Sequence, residues 1–384
     1  MKKNLLLFVS LFTFLYSFAG WTPYTVNFDG KDRTYKIYTP TNLAPNAKTV
    51  VLLHGLGATM NDFDNSSWPA IADSANIILI APQGLSFNSF IGVIEGVFNS
   101  GMVLPIINQG VNSDVDDIRF ISHLMDEVAA NYSTDHDRVY ITGFSNGGFM
   151  TQRCACELTE KIAAVASVSG TRSAAYPPCN DGFTMPVAHF HGDMDSVVTW
   201  GGYVSSGAIG AQLGISVDSL LSDWKITNNA LDSEVSSTIG DSTASLYMTH
   251  TEYKTPSGES MVELFKVHGG VHGYYGYMHT GNKFDIAHET WKFFNKHLTL
   301  GIASVENNWM STLSIYPNPV REQLHIEGDL SLVQSMAIYS ITGGLVKVIP
   351  QVNSSIDVSA IPSGVYILKI TGWNGENASY KLLK

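Results

Sequence analysis

Cysteine is scarce in this chain: Cys154, Cys156 and Cys179 are the only three in 384 residues. No His or Cys pair stands near them at metal-ligand spacing, so no thiolate metal site is expected. An odd count leaves one thiol over from any single bridge. A disulfide from Cys179 to Cys154 or Cys156, and three quiet buried thiols, are both open readings. Positive charge is short as well. Lys and Arg total 22 against 34 Asp and Glu, a formal net charge of −12, which argues against nucleic acid or an anionic membrane surface as the main partner. Long apolar runs are missing beyond the N-terminus. The run from Leu5 to Phe18 is about 14 residues, short of a comfortable bilayer span. Lys2 and Lys3 precede it and Ser17-Phe18-Ala19 offers small residues for cleavage, the layout of a secretory signal over residues 1–19. The protein is expected to be secreted or held at the cell surface, with no membrane span once the signal is cleaved.

What is plentiful is apolar. Hydrophobic residues make up 45% with ordinary Gly, Pro and aromatic content, which fits a globular protein of one large and one smaller domain. Val50-Val51-Leu52-Leu53, Ile77-Ile78-Leu79-Ile80, Arg138 to Gly143, Ile162 to Ser169, Val187 to Phe190 and Val262 to Val267 read as buried strands. Asp116 to Ala130 and Asp285 to His297 carry helical spacing between and after them. Strand–helix alternation of this kind implies a mostly parallel sheet with helices on both faces, spanning residues 20–300. Val204 to Asp241 reads as a surface excursion around a short helical piece, Leu220 to Trp224. Residues 301–312 read as a linker. Short alternating runs separated by Gly343-Gly344 and Pro362-Ser363-Gly364 then predict a small antiparallel β-sandwich over residues 313–384.

One pattern carries chemistry. Val139-Tyr140-Ile141-Thr142 runs straight into Gly143-Phe144-Ser145-Asn146-Gly147, and a helix-compatible segment follows. A serine on such a strand-to-helix turn is exposed, strained and set at a helix N-terminus, where developing negative charge is favoured. The rival is a structural serine in a Gly-rich turn. A serine nucleophile needs a base and an orienting carboxylate, in the order Ser, Asp, His for this turn. After the fifth strand, Asp195 is preferred to Asp193, because Val197-Val198 tucks back into the core while Asp193 suits a turn. His272, in the Gly-flanked run His268-Gly269-Gly270-Val271-His272-Gly273, is the expected base. His268 reads as a satisfied structural histidine, and His279 is a third candidate. The oxyanion hole is expected from the backbone N–H groups of Asn146 and Leu56, with His54 holding the loop that carries Leu56.

These residues resemble the polyhydroxybutyrate depolymerase and feruloyl esterase group of α/β-hydrolases. The resemblance rests on His54-Gly55-x-Gly57, Pro82-Gln83-Gly84, Asp116-Asp117, Arg138 through Gly148, His191-Gly192-x-x-Asp195 and Gly269-Gly270-x-His272-Gly273. It implies an α/β-hydrolase fold and hydrolysis of carboxylic esters, on polyester chains or on feruloyl or acetyl groups of plant polysaccharide, with Ser145, Asp195 and His272 in the roles above. The group often has Trp-Pro-Gly after the catalytic His where this chain has Gly273-Tyr274-Tyr275-Gly276, so the neighbouring pocket is expected to differ. Tyr316-Pro317-Asn318-Pro319, Ile338 to Gly343, Gly364-Val365-Tyr366 and the final Lys381-Leu382-Leu383-Lys384 resemble the sorting domain of type IX secretion substrates, which implies a secretion machinery as partner. A carbohydrate-binding module would want exposed aromatics on one face, and Trp373 with a few tyrosines are on offer. The expected protein is a serine esterase with neither metal nor organic cofactor. The alternatives are a non-catalytic polysaccharide binder and an acyltransferase using the same three residues.

Overall fold

Apolar strands buried on both faces form the middle of a ten-stranded sheet. The computed structural model describes residues 20–89, 92–104, 109–179, 183–206, 209–232, 234–276, 284–298, 313–328, 330, 333–340, 344–349, 352–372 and 377–384. The expected signal segment, the linker, His279 and Trp373 lie outside them. The sheet strands are β1 (Gly20–Phe28), β2 (Lys31–Thr39), β3 (Ala47–Leu53), β4 (Ile77–Pro82), β5 (Thr134–Phe144), β6 (Ala164–Val168), β7 (Val187–Gly192), β8 (Glu234–Ile239), β9 (Tyr247–Lys254) and β10 (Ser260–His268). Their order across the sheet is β1-β2-β4-β3-β5-β6-β7-β10-β9-β8. The six from β4 to β10 run parallel, and β2 with β1 at one edge and β9 with β8 at the other are added through antiparallel pairings.

Side chains alternate between two cores. On β3, Val51 and Leu53 join one cluster while Val50 and Leu52 join the other, as period-two geometry requires. The first cluster is covered by α2 (Asp117–Asn131), α3 (Asn146–Glu157) and α4 (Val217–Thr227), the second by α1 (Trp68–Ala75) and α5 (Ile286–Phe294). Helices on both faces of a mostly parallel sheet, with this strand order, make the α/β-hydrolase fold. Sites in such sheets form beyond the carboxyl ends of the parallel strands. At that end three excursions gather: hairpins over Leu85–Val97 and Val103–Gly110, and a third over Tyr203–Gln212.

Two regions differ from expectation. β1 and β2 are a hairpin closed by Asp29-Gly30, both at positive φ, a turn pair that suits the strand twist. The stretch expected as a surface excursion does contain a helix, but it is longer (Val217–Thr227), and residues 234–239 are a sheet strand. Nearly every side chain of that edge strand is exposed, so it carries no apolar alternation to read. Cys156 bridges Cys179, with Cα atoms 5.0 Å apart, and Cys154 stays a buried free thiol.

The chain divides into two compact units, Met1–Thr299 and Leu300–Lys384. The second unit holds β11 (Ser314–Tyr316), β12 (Gln323–Glu327), β13 (Val333–Ser340), β14 (Leu345–Ile349), β15 (Ser355–Asp357), β16 (Val365–Gly372) and β17 (Asn377–Leu383). They form antiparallel sheets ordered β11-β12-β15 and β14-β13-β16-β17. Leu324, Ile326 and Ile356 from one sheet and Met336, Ile338, Leu368 and Ile370 from the other share one buried core, which makes the unit a β-sandwich.

Candidate active site

Strand β5 ends at Phe144, and α3 starts two residues later. Ser145 joins them at φ +54° and ψ −117°, a conformation that costs a non-glycine residue strain and that tertiary contacts must hold. The Ser145 N–H donates to Val168 O at 2.8 Å, and Phe149 N–H donates to Ser145 O at 2.9 Å. The flanking glycines let the chain close around this turn. A Cβ on Gly147 would run into the Leu53 carbonyl, and one on Gly143 into the Gly147 carbonyl.

The loop after β7 brings Asp195, and the loop after β10 brings His272. His272 Nδ1 lies 2.7 Å from Asp195 Oδ2, and its Nε2 lies 3.0 Å from Ser145 Oγ. A carboxylate only accepts, so His272 donates from Nδ1 and presents Nε2 as acceptor to the serine hydroxyl. Asp195 is itself held: its Oδ1 accepts Val197 N–H at 2.9 Å and Val198 N–H at 2.8 Å. Burial would raise this carboxyl, but the His272 hydrogen bond and charge, with the Val198 N–H, outweigh burial and hold it below the ordinary carboxylate range.

The competing candidates pair with each other. Asp193 Oδ1 accepts Gly269 N–H at 2.8 Å, and its Oδ2 lies 3.3 Å from His268 Nδ1. His268 stacks on Tyr247 and its Nε2 meets Thr249 Oγ1 at 3.0 Å. That pair fastens the two loops at their base and makes no contact with Ser145.

Leu56 and Asn146 both line the cavity beside the serine. Asn146 opens α3, so its N–H has no acceptor within the helix. His54 is buried and anchors the other side. Its Nδ1 donates to Gly55 O at 2.8 Å, while its Nε2 accepts Gly84 N–H at 3.0 Å and faces Gln83 Nε2 at 3.1 Å. Burial pushes this imidazole below the ordinary histidine range, so it stays a neutral strut. The run Pro82-Gln83-Gly84 acquires a physical role here: Gln83 also accepts Met60 N–H and donates to Ala58 O, tying down the loop that carries Leu56.

The cavity at Ser145 measures about 570 Å³. The segment Phe98-Asn99, which follows the first hairpin, is clamped from two sides. Asn146 Oδ1 accepts Phe98 N–H at 2.8 Å, and Asp117 Oδ2 accepts Asn99 N–H at 2.7 Å while Oδ1 takes a 2.6 Å bond from buried Arg33.

A second polar chain escaped sequence reasoning. Trp224 Nε1 donates to Gln152 Oε1 at 2.8 Å, and Gln152 Nε2 donates to Ser167 Oγ at 2.6 Å. Ser167 Oγ meets His189 Nδ1 at 2.7 Å, His189 Nε2 meets His191 Nδ1 at 3.1 Å, and His191 Nε2 meets Val198 O at 2.8 Å. A carbonyl can only accept, so every proton in the chain is assigned: both imidazoles carry hydrogen on Nε2 and Ser167 donates to His189. Burial keeps both rings below the ordinary histidine range. The chain ends on the Asp195–Val198 turn, with His191 Nε2 3.8 Å from Asp195 Oδ2. Two histidines at i and i+2 on an otherwise apolar strand share one sheet face, and that was the available signal.

Among the described residues, His250, Glu252 and Glu263 form one group at metal-ligand separation. Lys296 already fills it, with its Nζ 2.9 Å from Glu263 Oε1 and 3.5 Å from Glu252 Oε1.

Residues 39–206 match the model of the Phospholipase/Carboxylesterase family, and residues 314–384 match that of the Secretion system C-terminal sorting domain. The sorting domain marks the chain as secreted or held at the cell surface. A bifunctional acetylxylan esterase/xylanase of Neocallimastix patriciarum is 31% identical over 176 residues, 44% of this chain and 22% of that protein. Poly(3-hydroxyalkanoate) depolymerase C of Paucimonas lemoignei is 27% identical over 259 residues, 62% of this chain and 57% of that protein. Feruloyl esterase D of Neurospora crassa is 29% identical over 178 residues, 45% of this chain and 57% of that protein. The chain thus spans under two thirds of the length of each of these relatives.

Proposed function

We propose that this protein is a secreted serine carboxylic ester hydrolase with Ser145 as nucleophile, His272 as general base and acid, and Asp195 as the group that orients it. The observation that carries this reading is the unbroken hydrogen-bonded chain from Ser145 Oγ through His272 to Asp195, at 3.0 and 2.7 Å, on a strained strand-to-helix turn. His272 Nε2 takes the hydroxyl proton as Ser145 Oγ bonds to the acyl carbon, then gives it to the alcohol oxygen as that bond breaks. Water, deprotonated by the same imidazole, releases the acid and restores the serine. The N–H groups of Asn146 and Leu56 receive the negative charge on the carbonyl oxygen at each tetrahedral stage. The β-sandwich serves export, through a type IX secretion machinery. Names among the relatives, an acetylxylan esterase, a polyhydroxyalkanoate depolymerase and a feruloyl esterase, bound the ester classes to test. Ser145→Ala should lower kcat on p-nitrophenyl acetate on the order of 10⁶-fold. Wild-type turnover in that variant would overturn the proposal.

A further inference from the structure

The cavity at Ser145 has two unlike ends. Apart from Ser145 and Asn146, its polar lining, Asn61, Asp62, Ser66 and Tyr274 beside His54 and His272, comes from the loop after β3 and the loop after β10. Every other described lining residue away from the Phe144–Asn146 turn is apolar, among them Phe87, Met102, Leu104, Val111, Phe149 and Leu213. Those six are buried members of a small cluster separate from both sheet cores. Phe87 and Leu104 lie within the excursions beyond the strand ends, and Met102, Val111 and Leu213 directly flank them. Interior apolar clusters normally close to crystal-like density. This one instead lines an open space, and an empty apolar space of this kind gains nothing from water.

The position of His272 assigns the two ends. It must protonate the leaving oxygen, so the alcohol leaves on the imidazole's side. The ring lies 4.8 Å from Phe144, which in turn stands edge-on to Tyr274 at 6.4 Å. Both aromatics pack on the second sheet core, not on the small apolar cluster. The alcohol therefore leaves past Phe63, Ser66 and Tyr274, and the apolar chamber is left for the acyl group.

Resting on the esterase reading above, we propose that this chamber is an acyl pocket for an unsubstituted aliphatic chain of medium length. An acetyl group leaves it empty. A feruloyl group buries a phenolic hydroxyl where no described side chain can pair with it, and an unpaired buried hydroxyl is penalised. Each methylene added to an aliphatic acyl group gains about 0.8 kcal/mol of burial, close to fourfold in kcat/KM.

The test is a set of p-nitrophenyl esters from acetate to octanoate, with methyl ferulate and a parallel set of acetates of lengthening alcohols. The proposal expects kcat/KM to rise on the order of a hundredfold from acetate to hexanoate, with methyl ferulate below hexanoate and little dependence on alcohol length. Ile94→Trp fills part of the lining and should cut the hexanoate-to-acetate ratio at least about tenfold. That ratio is read within one preparation, so loss of folded protein does not move it. A flat or falling acyl series, methyl ferulate as the best substrate, or dependence on the alcohol alone overturns the acyl assignment while leaving the esterase reading in place. Absence of hydrolysis of every ester, acetate included, overturns the esterase reading and this inference together.

Discussion

Replacing Asp195 by asparagine changes one atom and, by the geometry around it, reverses the base. Asp195 Oδ1 accepts two backbone hydrogen bonds, from Val197 and Val198, while Oδ2 accepts the one from His272 Nδ1. In Asp195→Asn the two N–H donors keep the amide oxygen at the Oδ1 position. The NH₂ group then sits at Oδ2 and donates to His272 Nδ1. The imidazole must carry its hydrogen on Nε2, pointed at Ser145 Oγ, and it can no longer accept the serine proton. Turning the amide over would set NH₂ against two buried N–H groups, which costs about 1–3 kcal/mol for each donor left unpaired, or about 2–6 kcal/mol for both. The upper part of that range matches the loss of about 10⁴ in kcat that the wrong tautomer causes in a serine triad, close to 5.4 kcal/mol at 1.36 kcal/mol per decade. The assay is kcat on p-nitrophenyl acetate near neutral pH, with a thermal melt to show that the variant is folded. Asp195→Ala supplies no wrong donor, so it should retain more activity than Asp195→Asn. An asparagine variant within tenfold of wild type, or one more active than the alanine variant, would refute this account of the site.

Three further outcomes follow from the same contacts. His191→Leu removes the donor to Val198 O and the acceptor for His189 Nε2–H, so it should cost about 2–6 kcal/mol in urea unfolding at 1–3 kcal/mol per unpaired buried group; a cost below about 1 kcal/mol contradicts the network. Removing the Cys156–Cys179 bridge, which spans a sequence separation of 23, should lower stability by about 3 kcal/mol. Equal unfolding midpoints for wild type and the double serine variant would speak against it. Burial lowers the pKa of His54, His189, His191 and His297, the last to about 4. The unfolded chain therefore binds protons near pH 6.5 that the folded chain refuses. Stability is full above about pH 6.5 and is lost as pH falls toward about 4, so the Tm at about pH 5 should lie below that at about pH 7.5. A flat profile would show that these rings are not held neutral.

Much of this fold is legible because the parallel strands are buried on both faces. Runs such as Ile77-Ile78-Leu79-Ile80 and Val50 to Leu53 leave no alternative, and their buried patterns in the structure match. Edge elements were not legible in the same way. β8 and β9 are largely exposed or half-buried, so their polar sequences give no apolar period, and pairing with β10 decides their state. The hairpin of β1 and β2 did carry a local signal, the Asp29-Gly30 pair, that apolar runs alone do not capture.

The site divides along similar lines. Ser145, Asp195 and His272 could be picked out because each stands in a turn whose glycines and chain order have a chemical reason. The apolar chamber could not, since most of its wall residues come from between Phe87 and Val111 and between Val204 and Leu213, segments without clear periodicity whose side chains meet only in three dimensions. The buried chain from Trp224 to His191 joins four elements, so no single stretch of sequence displays it.

The central claim is that Ser145 is the nucleophile, and covalent trapping tests it most directly. Full-length protein treated with a fluorophosphonate should gain the mass of one phosphonyl group, mapped by peptide sequencing to Ser145, and Ser145→Ala should gain none. Wild-type protein that stays unlabelled, or that carries the adduct on another residue, would contradict the account.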